Sequence, residues 1–566
     1  MWKMGLYRGV WRFASLPDLW NIVRSAIVGV LAISLALFLF NRLEGTSRTT
    51  LVLYPLILIV ALGGPRVLFR LWKEHGFYPK STDGAKRVVV LGAGRAGEMV
   101  ARDMVRDRDY APVGFLDDDV KLAGAKVHGL PVFGAIKLID SLVQEYELDL
   151  IIIAMPSLSR ARIRTVIEAC ERAGVEFLTL PCLDDVIAGR SAMTALREVA
   201  IDDLLGRDPI ALDWQKISND LAGKVVLISG GGGSIGSELC RQVSRFGPSK
   251  LIILEQSEFN LYSIEMELRA EFPSLELMSA LIDVCDEIAV DKLLEEHRPN
   301  VIFHAAAYKH VPMLEGQARQ AVKNNVLGTR TLALVADKYN CHTFVLVSTD
   351  KAVNPSNVMG ATKRVAEILC QTLNRRSNTH FITVRFGNVL GSAGSVVPLF
   401  SKQIQSGGPV TVTHPDITRY FMTIPEASQL IMQASVLGSG GEIFVLDMGE
   451  PIKINYLAEQ MIHLSGKTPG IDVEIKYTGL RPGEKLYEEL FHDQEVLVKT
   501  EHEKIFLANC RCVDWNMVES VLNDMMLACD TCDNDALLIL LKRLVPEMRR
   551  SGKDNNNIIP FERVTA

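Results

Sequence analysis

No long basic block occurs in the 566-residue sequence, whose formal net charge is −6. Phosphate backbones are held by clustered Lys and Arg, so nucleic acid is not an expected partner. An anionic small molecule needs only a local positive site, which the overall charge does not exclude. No signal-peptide pattern opens the chain: the first apolar run starts near Trp20, and no small-residue cleavage site follows it. Cysteines are few and scattered, ten in all. Most, such as Cys240, Cys341 and Cys370, sit in apolar surroundings and read as buried free thiols in a reducing compartment. Cys510, Cys512, Cys529 and Cys532 form a CxC followed by a CxxC. That spacing matches zinc sites poorly, and no metal is expected.

A single unbroken membrane-length run is also missing, but two shorter ones occur. Residues 26–40 are almost wholly apolar. Extended back to Trp20 across Arg24, the run approaches the roughly 20 residues that cross a bilayer. A second run covers residues 51–64 and stretches to Phe69 past Pro65 and Arg66. Joined by the polar residues 41–50, the two read as a transmembrane hairpin within an anchor segment, residues 1–80. A pair of buried core helices is the plain alternative. Lys3, Arg8, Arg12 and Arg24 lie before or just inside the first run, and Arg66, Arg70 and Lys73 lie inside or after the second. The connection has Arg42, Arg48 and Glu44. The positive-inside rule then puts both ends in the cytoplasm. The expected location is the cytoplasmic membrane, with the later domains on its cytoplasmic side.

From Lys86 the pattern becomes strands alternating with helices. Residues 87–91 (RVVVL) read as a β-branched strand, with further strands at 112–116, 148–154 and 175–180. This predicts a small doubly wound domain over residues 81–185. Residues 186–222 form a connector. A larger α/β unit, residues 223–550, follows, with strands at 225–229, 251–254, 301–304, 343–348 and 380–385. Beyond about Gly391 the alternation turns irregular, as in a substrate-covering lobe. Residues 551–566 read as a disordered tail. The predicted fold is thus α/β: a helical hairpin, then two Rossmann-like parallel-sheet domains.

Each α/β unit opens on a glycine loop. In the second, strand, GGGGSIG (residues 230–236), helix and a further strand follow in order. Gly230, Gly233 and Gly236 allow a tight turn and close approach to a pyrophosphate at a helix N-terminus. Glu255 ends the next strand, where a carboxylate can accept from ribose hydroxyls and repel a 2′-phosphate. That favours NAD over NADP; a solvated strand end is the alternative. Asp283 follows an apolar run and is placed to contact adenine. The first loop, GAGRAG (residues 92–97), precedes a strand ending at Asp117, Asp118 and Asp119. It reads equally as a nucleotide site or as a scaffold without a ligand.

Residues 348–363, STDKAVNPSNVMGATK, resemble the active-site segment of the extended short-chain dehydrogenase/reductase superfamily. There a Ser or Thr ends a strand, and a Tyr and a Lys four residues apart share a helix face. Lys363 matches the Lys, and Met359 stands where the Tyr is expected. Thr349, Asp350 and Lys351 occupy the Thr-Asp-Glu positions of nucleotide-sugar 4,6-dehydratases. Lys for Glu and Met for Tyr both resemble the membrane-anchored, polysaccharide-biosynthesis branch acting on UDP-N-acetylglucosamine. The likeness extends through HAAAYKHVP (304–312), RFGNVLGS (385–392), TRYFMT (418–423) and RPGEK (481–485). Residues 5–12 resemble the segment before the third span of four-span relatives, so a two-span form is expected.

The resemblance implies that the C4 hydroxyl is oxidised, water leaves from C5 and C6, and C6 is reduced, giving a 4-keto-6-deoxy sugar nucleotide with C5 retained. Catalysis is expected from Thr349, Asp350, Lys351, Lys363 and Met359's position. Asp350, held protonated, serves the leaving C6 hydroxyl. Lys351, its pKa lowered by Lys363 and burial, takes the C5 proton. Thr349 hydrogen-bonds the C4 oxygen and relays its proton. The cofactor is expected against Gly230, Gly233, Ser234, Ile235, Gly236, Glu255, Asp283, Val284, Ala305, Ala306, Lys363 and Val389. The substrate is expected against Lys309, Asn388, Arg419 and Arg481; for Arg419 a structural ion pair is the alternative. A homo-oligomer is also expected. Two rivals stand beside this reading: a 4-epimerase of the same fold, and a non-catalytic membrane scaffold, which Met359 keeps open.

Overall fold

The computed structural model describes residues 85–155 (apart from 106 and 108), 160–180, 197–198, 212–491, 497–508 and 513–549, with scattered positions between 24 and 64. Most of the two expected spans, much of the connector, the tail, Cys510 and Cys512 lie outside them. Among the described residues no helix is long and apolar enough to cross a membrane. The chain divides into two compact units: Met1–Ser157 with Arg172–Glu198, and Leu158–Glu171 with Val199–Ala566.

The first unit carries strands β1 (Lys86–Leu91), β2 (Tyr110–Leu116), β3 (Lys126–Val127), β4 (Leu130–Gly134), β5 (Leu150–Ile153), β6 (Glu176–Thr179) and β7 (Arg197–Glu198). Their order in the sheet is β3-β4-β2-β1-β5-β6-β7. The β-branched residues of β1 and β5 are buried on both faces, as a central parallel strand requires. The hairpin of β3 and β4 and the antiparallel β7 were not expected from the sequence.

The second unit is built on a nine-stranded sheet. Its first strands are β8 (Val225–Ser229), β9 (Lys250–Glu255), β10 (Leu277–Leu281), β11 (Val301–His304), β12 (Thr343–Val347) and β13 (His380–Arg385). The order is β10-β9-β8-β11-β12-β13, continued by Ile443–Leu446, Ile505–Ala508 and Leu497–Lys499. All pairs are parallel up to Ile443–Leu446, and the last two pairings are antiparallel. Alternate side chains of each strand enter opposite cores. Val226, Ile228, Ile253, Phe303, Val345 and Val384 face one cluster. Leu227, Ile252, Leu254, Ile302, Phe344 and Leu346 face the other.

The expected irregularity after Gly391 proves to be two different things. One is a small lobe of two-stranded pairs, such as Val410–Val412 with Ile475–Tyr477, around Phe400, Ile417, Phe421 and Ile462. The other is a regular helical pair, Trp515–Asp530 and Asn534–Leu544. Its Val518, Leu522, Met525, Leu537 and Leu541 pack with Val358, Ala361, Val365 and Leu369 of the long helix Val358–Asn374. That helix is therefore covered along its length, which rigidifies the side chains it carries toward the sheet.

Candidate active site

Strand order reverses between β8 and β11, the point at which loops leave the sheet in opposite directions and open a crevice. A cavity of about 980 Å³ lies there, within the second unit. It is lined by Gly230, Gly233, Ser234, Ile235, Gly236, Ala305, Lys309, Thr349, Lys351, Met359, Lys363, Asn388, Val389, Arg419 and Arg481. The structure thus brings fifteen expected site residues to one space. Asp350, Glu255, Asp283, Val284 and Ala306 do not line it.

The glycine loop has steric reasons for its composition. Gly230 has φ +66°, and a Cβ there would stand 2.7 Å from Cα of Ala306. A Cβ on Gly236 would stand 2.0 Å from the Gly230 carbonyl oxygen, so the helix Ser234–Ser244 can start only against bare backbone. Glu255 is buried at the end of β9 and uses both oxygens locally. Oε2 accepts from Gly232 N (3.1 Å) and Oε1 from Ser257 N (3.0 Å). It therefore holds the loop in shape. The cradle suits a dinucleotide pyrophosphate, and the helix N-terminus supplies donors and a favourable dipole. In the first unit a Cβ on Gly97 would stand 1.9 Å from the Gly92 carbonyl oxygen, and Asp117 Oδ2 accepts from Ala93 N at 2.7 Å. The two loops share one construction.

The chemistry sits on the segment between β12 and the long helix. Ser348 borders the cavity, and its hydroxyl donates to Glu367 Oε1 at 2.7 Å. Thr349 donates to Asp350 Oδ1 (2.8 Å), and the Lys351 ammonium donates to the same oxygen (3.0 Å) and to Asn388 Oδ1 (3.1 Å). Asp350 Oδ2 is buried without a hydrogen-bond partner. Asn357 caps the helix, its Oδ1 accepting from Gly360 N at 2.7 Å. Gly360 lets the helix press on the catalytic turn: a Cβ there would stand 2.1 Å from the Lys351 carbonyl oxygen. Met359 and Lys363, one helical turn apart, then both reach the cavity.

Two proton affinities differ from simple expectation. Burial pushes Lys363 down to about 8, with Glu367 resisting, while its Nζ donates to the Val347 carbonyl at 2.8 Å. Lys351 was expected to be lowered too, but it is raised. Burial disfavours its ammonium, yet the carboxylates of Asp350 and Glu488 outweigh that.

Glu488 was missed from the sequence. It lines the cavity with a side chain only 4% exposed, 3.8 Å from Lys351 Nζ and 3.8 Å from Arg419 Nε. Burial raises its pKa, Asp350 adds to this, and Lys351 and Arg419 oppose it. Arg419 is committed to structure: it donates to the carbonyls of Thr418, Leu486 and Lys485 at 2.7, 3.2 and 2.8 Å. Arg419 also lines the cavity where substrate contact is expected, and it pairs with Glu484 at 3.5 Å as the structural alternative has it. Lys309 and Arg481 bring positive charge to the cavity wall, beside His310. Burial, Lys309 and Arg481 together hold His310 below its ordinary value. Arg481 is half-exposed and shares its charge with Glu484 at 3.2 Å.

Fold and site together define a doubly wound α/β protein of the short-chain dehydrogenase/reductase type, with a dinucleotide-type loop and a Thr-Asp-Lys segment. The chain belongs to the polysaccharide biosynthesis protein family, whose model matches residues 226–510. A model described as a CoA-binding domain matches residues 3–181. The capsular polysaccharide biosynthesis protein CapD of Staphylococcus aureus is 43% identical over 506 residues, 88% of this chain and 84% of that one. A UDP-glucose 4-epimerase of Rickettsia rickettsii is 33% identical over 280 residues, 48% of this chain and 79% of that one. The X-ray structure of Pen from Bacillus thuringiensis is 32% identical, covers 52% of this chain and 92% of that one, and has a TM-score of 0.48.

Proposed function

We propose that the protein is a UDP-N-acetylglucosamine 4,6-dehydratase that uses NAD and forms a 4-keto-6-deoxy sugar nucleotide, with C5 retained, for a surface glycan. The observation that carries this is the hydrogen-bonded chain Thr349–Asp350–Lys351 beside Lys363 in one cavity. A nicotinamide bound at the glycine loop would supply a reversible hydride acceptor. The protein's own groups move the protons. Thr349 takes the C4 hydroxyl proton as its own passes to Asp350 Oδ1, 2.8 Å away. Asp350, now a carboxylic acid, returns that proton through the Thr349 hydroxyl, which lines the cavity, to the C6 oxygen as water leaves. Lys351 takes the C5 proton and later returns it. Lys363 offsets the negative charge that builds at the C4 oxygen. Lys309, His310 and Arg481 suit the diphosphate.

The likeness to a 4-epimerase favours a second reading, in which the same cavity only oxidises and re-reduces C4. That reaction needs no proton transfer at C5 or C6 and leaves Asp350–Lys351 without a task. Incubation with UDP-N-acetylglucosamine separates the two: dehydration gives a keto sugar that absorbs in alkali and carries deuterium at C5 when made in heavy water. An isomeric hexosamine with neither property would sink the proposal. Anchoring to the cytoplasmic membrane by the N-terminal apolar runs, and self-association, belong to the same proposal. The helical positions Leu39, Ile57 and Val60 expose 72, 62 and 69% of their surface, which suits a lipid environment. Recovery of the full chain in washed membranes tests it.

A further inference from the structure

Taking the dehydratase reading as its basis, we propose that Glu488 is the proton partner of Lys351: it accepts the lysine's resting proton so that the amine is free to attack C5–H.

The need arises from the geometry. A lysine that removes a carbon-bound proton must first be an amine. The Lys351 ammonium instead rests against Asp350 Oδ1 and Asn388 Oδ1, and its neighbours strengthen its hold on the proton. Asp350 cannot serve as the outlet, because in the proposed sequence it receives the C4 proton through Thr349. Glu488 is the other carboxyl at hand. Its Oε1 lies 3.8 Å from Lys351 Nζ, just beyond a hydrogen bond, so a small approach completes the path. Its Oε2 is buried and has no hydrogen-bond partner. An unsatisfied buried carboxylate oxygen is costly, and a proton relieves that cost.

The segment that carries Glu488 is held in place on both sides. Arg419 donates to the carbonyls of Lys485 and Leu486, and Lys485 Nζ donates to the Val353 carbonyl at 3.2 Å. The charged groups facing the pair are Asp350, Arg419 and Lys485, with Tyr420 beside Asp350. In the transfer one N–H bond of the ammonium breaks and one O–H bond forms on Glu488. Ammonium and carboxylate become amine and acid, and the pair's net charge is unchanged. Burial favours the neutral pair, and substrate entering the cavity deepens that burial. Glu488 acts through Lys351 and is a positioning residue in this scheme.

The test is Glu488→Gln in the full chain, which keeps the shape and removes proton exchange. At neutral pH kcat should fall about a hundredfold, with KM changed by no more than about twofold. The rate should recover as pH rises, because Lys351 then loses its proton to solvent. Glu488→Asp should regain part of the neutral-pH rate, and it carries the same pH test if the Gln variant does not fold. An active wild type whose Gln variant keeps the same kcat and pH profile overturns this proposal alone. So does a loss that pH does not repair. A wild type that makes no keto sugar overturns the dehydratase reading and this proposal with it.

Discussion

Arg385 grips Glu367 through two hydrogen bonds of 2.7 Å, Nε to Oε1 and Nη2 to Oε2, and neither side chain reaches water. Arg364 Nη1 adds a third bond at 2.9 Å, and the Ser348 hydroxyl a fourth at 2.7 Å. The carboxylate is thus saturated with donors directly beneath the catalytic turn. Burial alone would raise its pKa, but Arg385 and Arg364 hold it below the ordinary range. Glu367→Gln takes the buried carboxylate away from Arg385, while Arg364 keeps Glu547 at 3.3 Å. Breaking a buried pair in this way costs about 3–5 kcal/mol. Thermal melting should show a fall in Tm of several degrees; a change within experimental scatter would disprove the assignment.

Lys363 has the opposite character. Its ammonium loses affinity for its proton on folding, from an ordinary 10.5 to about 8. The unfolded chain therefore binds more protons between those values, and stability rises with pH across that window. Below about 8 the full penalty is present. Lys363→Met removes it, at the loss of the bond to Val347. The variant should gain on the order of 1–3 kcal/mol near neutral pH while losing turnover. The gain should shrink above about pH 8, as seen by denaturant titration at several pH values.

Thr349 stands at the head of the proton path, so its hydroxyl matters more than its shape. Thr349→Val should lower kcat by about 10²–10³-fold with little change in KM. Thr349→Ser, which keeps the donor to Asp350 Oδ1, should stay within about tenfold of wild type. Equal rates for the two variants would remove Thr349 from the relay.

Gly360→Ala adds one methyl group, which would meet the Lys351 carbonyl oxygen at 2.1 Å. Helix propensity alone favours the change by about 1 kcal/mol, but the clash must push the helix off the catalytic turn. The expected result is a stability loss of about 1–3 kcal/mol together with a steep fall in kcat, since Met359 and Lys363 move with the helix. A stabilised, fully active variant would show that the turn tolerates displacement.

The parallel strands were legible because they are short apolar runs rich in β-branched and aromatic residues. Val225–Ser229, Val301–His304 and His380–Arg385 fall where the sequence pattern puts them. Leu277–Leu281 was not legible: it carries a serine and is only partly buried at the sheet edge, so its hydrophobic signal is weak. Ile505–Ala508 finds its antiparallel partner, Ile443–Leu446, far back along the chain, and no local pattern announces such pairing. The site shows the same division. Residues at motif spacing, from Thr349 to Lys363, were readable and reach one cavity, apart from the buried Asp350. Glu488 was not, because nothing in the sequence separates it from its neighbour Glu489. Only the fold buries one and leaves the other half-exposed. The direction of Lys351's pKa was missed for the same reason: the groups that decide it include one from the lobe.

A handful of polar bonds fasten the strand-poor lobe to the catalytic segment: Lys485 donates to the Val353 carbonyl, Ser356 and Asn357 donate to the Gly483 carbonyl, and Asn354 donates to Glu489. Such an attachment is weaker than the nine-stranded sheet beneath it. Mild denaturant should therefore detach the lobe first and silence the enzyme while the sheet is still intact. Competence and foldedness are separable quantities in this molecule, and an inactivation curve should run ahead of the unfolding curve.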